Sequence, residues 1–241
     1  MRVLFAAAVL PALILLRYVY NKDKIEKEPK GLIIKLFLFG GLSIISAVIL
    51  ELLGDAIAVR LVDSDSTAYH IVSNFLIVAG AEEGGKYVVM KRITWNSPAF
   101  DYSYDAVVYA VSVSLGFAAF ENVLYVLGGG ITVAVMRALL SIPGHAVFAV
   151  YMGYFYGKAK KASVNGRVTE AESNLSMAFI SSSFLHGFYD FCLTVGNVKF
   201  LIVFLVFFIA IVILAARKVN KLSREDAPLR EMSYFDVYNG Y

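Results

Sequence analysis

Long apolar segments alternate with short polar ones along most of this chain. The apolar segments predict seven membrane-spanning helices, at residues 3–20, 31–53, 70–90, 104–127, 131–157, 175–195 and 198–216. A helix of about 20 residues crosses the ~30 Å hydrocarbon core of a bilayer, and most of these segments reach that length. Charged residues interrupt segment 70–90, whereas segment 198–216 is the most uniformly apolar and is expected to face lipid. The pattern therefore predicts an all-α, polytopic membrane helix bundle.

The composition agrees with a membrane protein. Hydrophobic residues make up 59% of the 241 residues, charged residues 17%, and the mean hydropathy is +0.69. We expect one bundle over residues 1–217 and a charged cytoplasmic tail over residues 218–241. The first apolar segment could be a signal peptide, but the polar residues after Tyr20 offer no small-residue cleavage site. The single cysteine, Cys192, excludes an internal disulfide.

The basic residues lie in the polar connections and are distributed unevenly. With the N-terminus outside, the inner connections and tail carry 16 of the 22 Lys and Arg residues, and the outer connections carry three. Because basic residues are retained on the cytoplasmic side, the sequence predicts an outside N-terminus and an inside C-terminus in a multi-pass protein of the cell membrane. This distribution suits contact with a lipid bilayer better than binding to nucleic acid, which we do not expect.

Several polar side chains lie inside the apolar segments. They are Glu82, Glu83, Lys86, Glu121, Asn122, Arg137, His145, His186 and Asp190. A charge at the bilayer centre costs at least ~2.5–3.5 kcal/mol, so these residues need compensating partners or a function. With the predicted orientation, Glu82, Glu83, His145 and His186 share one layer at mid-depth. Glu121, Asn122, Arg137 and Asp190 form a second layer nearer the outside. We expect water and substrate to reach them from that side.

Sequence spacing limits how these residues can pair. Lys86 follows Glu82 by four positions and Glu83 by three, so either pair is possible on a helix. Adjacent helical positions differ by ~100°, so we expect one glutamate to remain available for chemistry. His186 and Asp190 share one helix face, either as half of a metal site or as an imidazole oriented by a carboxylate. Glu121 is either a third metal ligand or the counter-charge of Arg137.

Taken in order, the motifs resemble those of the PrsW-type intramembrane proteases, relatives of the CAAX prenyl endopeptidases. The resemblance covers nearly the whole chain. The motifs are Lys22-Asp-Lys-Ile-Glu-Lys-Glu-Pro29, Glu82-Glu-Gly-Gly-Lys86, Asp105-Ala-Val-Val-Tyr109, Phe120-Glu-Asn-Val-Leu-Tyr125, His145 and the His186/Asp190 pair. One departure is Asp105-Ala106, where the family pattern tends to have Asp-Gly, which affects the geometry of that loop.

The resemblance implies hydrolysis of a peptide bond within or beside the bilayer. In that family the substrate is typically a single-span anti-sigma factor, cut on its extracytoplasmic side in the site-1-type step of a stress response. The resemblance assigns the catalytic chemistry to Glu82, Glu83, His145 and His186. Lys86, Asn122 and Arg137 would support them.

Two mechanisms are compatible with these residues. In a metalloprotease, His145 and His186 would bind Zn²⁺ with Asp190, or else Glu121, as the third ligand, and Glu82 would be the general base. In a metal-free mechanism, Glu82 and His145 would activate water while His186 and Asp190 polarise the carbonyl.

Other functional classes also place ionisable residues at membrane depth. A proton- or cation-coupled transporter uses buried carboxylates and histidines, and a non-catalytic scaffold or immunity-type relative could retain part of the site. Flux into membrane vesicles would support the transporter, and glutamate-dependent cleavage would support the protease.

Overall fold

A computed structural model describes residues 2–231 of the chain. In this part of the chain the regular structure is entirely helical, as predicted. The helices are α1 (Arg2–Lys22), α2 (Lys30–Leu42), α3 (Ile44–Leu61), α4 (Thr67–Ile71), α5 (Ala79–Thr94), α6 (Asp105–Leu139), α7 (Ser141–Val164), α8 (Val168–Val195) and α9 (Val198–Arg224). A π-helical segment, Val72–Val78, joins α4 to α5 without a break.

Four helical stretches are long and apolar enough to cross a membrane. They are Val3–Lys22, Lys30–Leu61, Asp105–Val164 and Val198–Arg224. The second contains α2 and α3, which meet at Ser43 in a nearly continuous helix and extend beyond the predicted end at residue 53. The third contains α6 and α7. The predicted span 70–90 covers the end of α4, the π-helical segment and most of α5, and the predicted span 175–195 falls in α8; polar residues interrupt the apolar sequence of both.

The chain reverses direction within α6, at Gly130. Residues 131–139 and α7 then run antiparallel to the first part of α6. Gly130 breaks α6 with a φ of 70°, a left-handed conformation that glycine adopts without a steric penalty. The Ser114 hydroxyl donates a hydrogen bond to the His145 carbonyl oxygen at 2.9 Å. Further from the turn, Gly153 lies against the backbone of Ala106. The reversal at Gly130 lies between the spans predicted at residues 104–127 and 131–157.

The first half of α6 is the centre of the bundle. Residues 105–119 are buried without interruption, so this helix is covered on every side. Glycines allow α2 to approach α6 at backbone distance. A Cβ atom on Gly116 would lie 2.0 Å from the Phe37 carbonyl oxygen, and one on Gly40 would lie 2.1 Å from that of Val113. Small residues at such contacts are typical of helices packed within membranes.

The end of the described chain packs against the bundle instead of leaving it. Helix α9 continues past the predicted domain boundary at residue 217 to Arg224. Beyond it, the Leu229 amide donates to the Asp101 carbonyl oxygen at 2.8 Å, and the Ser103 amide donates to that of Ala227 at 3.0 Å. The Leu229 side chain is buried. Residues 232–241 of the predicted tail lie outside the described residues.

Candidate active site

Helix α5 carries two carboxylates and one ammonium group in a buried cluster. The Lys86 Nζ atom donates to Glu82 Oε2 at 3.0 Å and to Glu83 Oε1 at 2.7 Å. Lys86 and Glu83 are fully buried. Lys86 contacts both glutamates, because the flexible lysine stem places Nζ between the two carboxylates, so the contacts of Lys86 do not decide which glutamate remains available for chemistry. The two glutamates differ in their other surroundings instead.

His145 of α7 approaches this cluster from the opposite side. Its Nδ1 atom lies 3.1 Å from Lys86 Nζ, and its Nε2 atom lies 3.1 Å from Glu121 Oε2. An ammonium group can only donate, so Nδ1 accepts and Nε2 carries the proton that it donates to Glu121. The hydrogen bonds therefore specify one neutral tautomer of His145. Its ring packs edge-on against His186, with ring centres 5.3 Å apart.

His186 of α8 lies between two carboxylates. Its Nδ1 atom is 3.0 Å from Glu83 Oε1 and its Nε2 atom is 3.1 Å from Asp190 Oδ2. Both acceptors are carboxylate oxygens, so with ionised partners both ring nitrogens donate and the ring is an imidazolium. Phe148 stacks on the ring at a centroid distance of 5.0 Å and fixes its plane. Of the two predicted arrangements of His186 and Asp190, the contacts fit the imidazole oriented by a carboxylate.

Glu82, Glu83, His145 and His186 converge in one buried group. Their potential ligand atoms all lie within 4.8 Å of one another. Two imidazoles and two carboxylates are a suitable donor set for Zn²⁺, and Glu83 Oε2 is buried without a hydrogen-bond partner among the described residues. These residues fit a divalent metal, although Lys86 Nζ lies among the same atoms. The layer predicted at mid-depth is thus brought together in three dimensions.

The predicted outer layer adjoins this group. Glu121 pairs with Arg137 at 2.6 Å, so it serves as the counter-charge of that residue as well as a partner of His145. Arg137 Nε donates to Asn122 Oδ1 at 3.0 Å, and Asn122 Nδ2 donates to the Ala8 carbonyl oxygen at 2.8 Å. Asp190 and Glu121, predicted as possible third metal ligands, each contact the Nε2 atom of a histidine. In metal sites such second partners orient the ligand histidines.

A cavity of about 620 Å³ gives access to the site. Glu82, His145 and His186 are on its wall, together with Glu121, Arg137 and Asp190. Glu83 and Lys86 lie behind that wall. Consequently Glu82 is the member of the glutamate pair that a molecule in the cavity can touch, and Glu83 contacts only protein groups.

The structure adds residues to the site that the sequence argument did not select. Glu51 of α3 and Asn74 of the π-helical segment line the cavity. Asn74 accepts a hydrogen bond from the Thr194 hydroxyl at 3.0 Å, which links the π-helical segment to α8. The Lys86 Nζ atom lies 4.0 Å from the centre of the Phe117 ring. Glu51 could have been recognised from the sequence, because it too is a carboxylate in an apolar segment.

Comparison with known proteins agrees with this geometry. The model of the PrsW family intramembrane metalloproteases matches residues 28–215, which include every residue of the buried group. The chain belongs to this family. The resemblance noted in the sequence is thereby confirmed, and the family is one of membrane-embedded proteases.

Individual relatives match over most of their length. A protein named Protease PrsW from Geobacillus kaustophilus is 38% identical over 190 residues, 79% of each chain. Another of that name, from Oceanobacillus iheyensis, is 35% identical and covers 90% of this chain and 95% of its own. The Protease PrsW of Bacillus subtilis is 32% identical, covering 85% and 89% respectively. No solved structure matches the chain.

Proposed function

We propose that this protein is an intramembrane endopeptidase that hydrolyses a peptide bond of a membrane-anchored substrate near its extracytoplasmic side. The observation that carries the proposal is the convergence of Glu82, His145 and His186 on one cavity wall within an apolar helix bundle. Hydrolysis needs a base for water and a stabiliser for the oxyanion, and these side chains can supply both. Family membership supports the same reaction class.

The proposed topology has seven spans in the cell membrane, with the N-terminus outside and the C-terminus inside. The antiparallel packing of α6 on α7 supports alternate crossings by these helices. In this orientation the Gly130 turn is outside, and Glu121, Arg137 and Asp190 lie on the outer side of Glu82 and His145. The cavity would then admit water from the extracytoplasmic side.

Glu82 is the proposed general base. It would take a proton from water as the hydroxyl oxygen attacks the carbonyl carbon of the scissile bond. When the C–N bond breaks, the proton held by Glu82 would pass to the leaving amine. Among the two glutamates only Glu82 lines the cavity, which supports giving it this role. His145 is held as one tautomer by Glu121 and Lys86, and it would orient the water by transferring its Nε2–H hydrogen bond from Glu121 to the water oxygen.

His186 is the proposed electrophile. As a buried imidazolium between Glu83 and Asp190, it would place a positive charge beside the developing oxyanion and stabilise it electrostatically. Glu83 would act as a positioning residue, because its carboxylate contacts both Lys86 and His186. Asn122 and Arg137 would hold Glu121 against His145.

A zinc ion fits the same group of side chains. His145 and a deprotonated His186 would be its imidazole ligands, and Glu83 offers a buried carboxylate oxygen without a hydrogen-bond partner among the described residues. Asp190 and Glu121 remain the ligands expected from the sequence. When bound, a zinc ion would supply Lewis-acid activation of water or of the substrate carbonyl. The roles of Glu82 as base and of Arg137 as support do not depend on which mechanism operates.

The proposed substrate is a single-span protein of the anti-sigma factor class, cut in the first step of a regulated response. A single apolar helix with an extracytoplasmic extension matches a site that lies inside the bundle and opens to that side. The family match favours a protease over a transporter or a non-catalytic scaffold.

Co-expression tests the proposal. A tagged single-span anti-sigma factor should be shortened in cells that contain the wild-type chain and stay intact in cells that contain Glu82→Gln. Asp55→Asn, on α3 and outside the cavity, is the matched control and should cut like wild type. Equal shortening by Glu82→Gln, at equal protein level, would contradict the proposal.

A further inference from the structure

Glu51 projects into the cavity from a helix that carries none of the proposed catalytic residues. It lies on the same face of α3 as Ile44 and Val48, at helical spacings of seven and three residues, and all three line the cavity. The Glu51 side chain is half-buried. The carboxylate therefore faces whatever enters the cavity.

Unlike the other carboxylates of this cavity, Glu51 has no partner in the part of the chain that the structure describes. Glu82 pairs with Lys86, Glu121 with Arg137, and Asp190 with His186. No ion pair and no hydrogen bond involves the Glu51 side chain among residues 2–231. An ionisable residue within a membrane-spanning segment normally has such a partner or contacts a substrate.

The charge of the cavity wall favours a cationic guest. The wall carries four carboxylates, those of Glu51, Glu82, Glu121 and Asp190, against two cationic groups, the guanidinium of Arg137 and the imidazolium of His186. Arg137 is already paired with Glu121. In a site of low polarity an uncompensated carboxylate binds a cation more strongly than it would in water.

The cavity also opens toward the side of the bundle. Three of its lining residues are apolar and strongly exposed: Val48 of α3 at 44%, and Leu124 and Met136 of α6 at 57% and 52%. Side chains of this kind are compatible with lipid, so they mark a lateral entrance between α3 and α6. A substrate segment that enters there passes Glu51 before it reaches Glu82.

We propose that Glu51 is a specificity-determining residue that binds a lysine or arginine side chain of the substrate beside the scissile bond. The inference rests on the proposed protease function and adds the chemical class of substrate residue that the site selects. The apolar part of the substrate would lie along Val48 and Met136. Its cationic side chain would neutralise the carboxylate of Glu51.

Peptide binding tests the role of Glu51 without catalysis. The probes are synthetic single-span peptides, each with one Lys at a different position in the outer half of the span, and matched peptides with Gln at the same positions. They are titrated against the full-length protein in detergent, in a Glu82→Gln background that prevents cleavage. The tightest Lys peptide should bind at least about tenfold better than its Gln match, as for a charge-assisted hydrogen bond.

Variants of α3 show whether Glu51 causes the preference for Lys peptides. Adding Glu51→Gln should remove the preference for Lys and leave binding of the Gln peptides unchanged. Glu51→Lys should instead favour a peptide with Glu at the same position. Asp55→Asn, which alters a carboxylate on the same helix that bonds the Tyr69 hydroxyl outside the cavity, should have no effect. Equal binding of Lys and Gln peptides, or equal weakening of both by Glu51→Gln, would overturn the proposal.

Cleavage of the same peptides by the chain with Glu82 restored separates the two proposals. If Lys peptides bind through Glu51 but none is cut, the binding role of Glu51 is supported and the protease function is contradicted. If peptides are cut in a Glu82-dependent way with equal rates for Lys and Gln, the protease is supported and the role of Glu51 is overturned.

Discussion

The ammonium group of Lys86 holds the two glutamates and His145 together in a buried cluster. Removal of one partner from a buried charge network leaves the others uncompensated, which costs about 3–5 kcal/mol. We therefore expect Lys86→Met to lower the thermal unfolding midpoint in detergent strongly. Arg92→Gln, an exposed change on the same helix, should not. The triple variant Glu82→Gln, Glu83→Gln, Lys86→Met should recover most of the loss, because no unpaired charge remains. A stable Lys86→Met protein would refute this account of the cluster.

The two histidines give a second prediction about individual residues. If zinc is the resident metal, the purified protein should hold about one ion per chain, and both His145→Ala and His186→Ala should lose it. Metal analysis of the three proteins, with circular dichroism to confirm folding, checks this without any substrate. Loss in only one variant would mean that the histidines do not share a metal. Well-folded, metal-free wild type would favour the mechanism that uses glutamate and histidine alone.

The sequence could identify most of the residues in this site but not their partners. The sequence shows ionisable residues within apolar segments at Glu82, His145 and His186. Their predicted depth in the membrane places them in one layer. Glu51 carries the same signal, but the sequence does not show that it faces the cavity that Glu82 lines whereas Asp55 does not. The contacts of Glu121 with both Arg137 and His145 depend on three-dimensional packing, so spacing alone left its role open.

At the scale of helices, glycines determine how closely α2 and α6 approach. A methyl group on Gly116 would collide with the Phe37 carbonyl oxygen, so the helices would have to separate. We expect Gly116→Ala to destabilise the protein by about 1–3 kcal/mol, as for other overpacked cores. Gly128→Ala, where an added Cβ meets nothing within 4 Å, is the control. Thermal unfolding in detergent measures both, and equal midpoints would show that this contact is not tight in solution.

The loop between α1 and α2 contains a buried carboxylate outside the membrane. Glu28 accepts a hydrogen bond from the Tyr109 hydroxyl at 2.7 Å, but burial outweighs this contact and raises its pKa from 4.5 to about 7. The folded protein therefore binds a proton between these values that the unfolded chain releases, so stability should fall as pH rises through this window.

Thermal unfolding midpoints at several pH values between about 4.5 and 7 test whether Glu28 binds this proton in the folded protein. Glu28→Gln should flatten the decline with pH, because the folded state no longer holds that proton. Glu26→Gln, an exposed change in the same loop, should keep the wild-type slope. If Glu28→Gln also keeps it, Glu28 does not titrate in this range.

Helix boundaries were predictable where hydrophobicity alone defines them. Helices α1 and α9 begin near the predicted residues, and the reversal at Gly130 lies between the predicted spans 104–127 and 131–157. The π-helical segment Val72–Val78 was not predicted, because its apolar sequence is equally compatible with an α-helix. The pairing of residues 227–229 with 101–103 is a contact between distant parts of the chain and leaves no local pattern.

At the scale of the whole molecule, the proposed orientation is directly testable. In a Cys192→Ala background, a single cysteine at Ser64→Cys should react with an impermeant thiol reagent in intact cells, because this loop would lie outside. Ser163→Cys should react only after the membrane is opened. The reverse pattern would invert the orientation and place the outer layer of the site on the cytoplasmic side.

The most direct test of the whole account is cleavage by purified protein in vesicles. Wild type and Glu82→Gln are reconstituted with a single-span anti-sigma factor, and the products are mapped by mass spectrometry. The account predicts one cut near the extracytoplasmic end of the substrate span with wild type, and no product with a folded Glu82→Gln protein. Equal product from both proteins, or none from either, would contradict it.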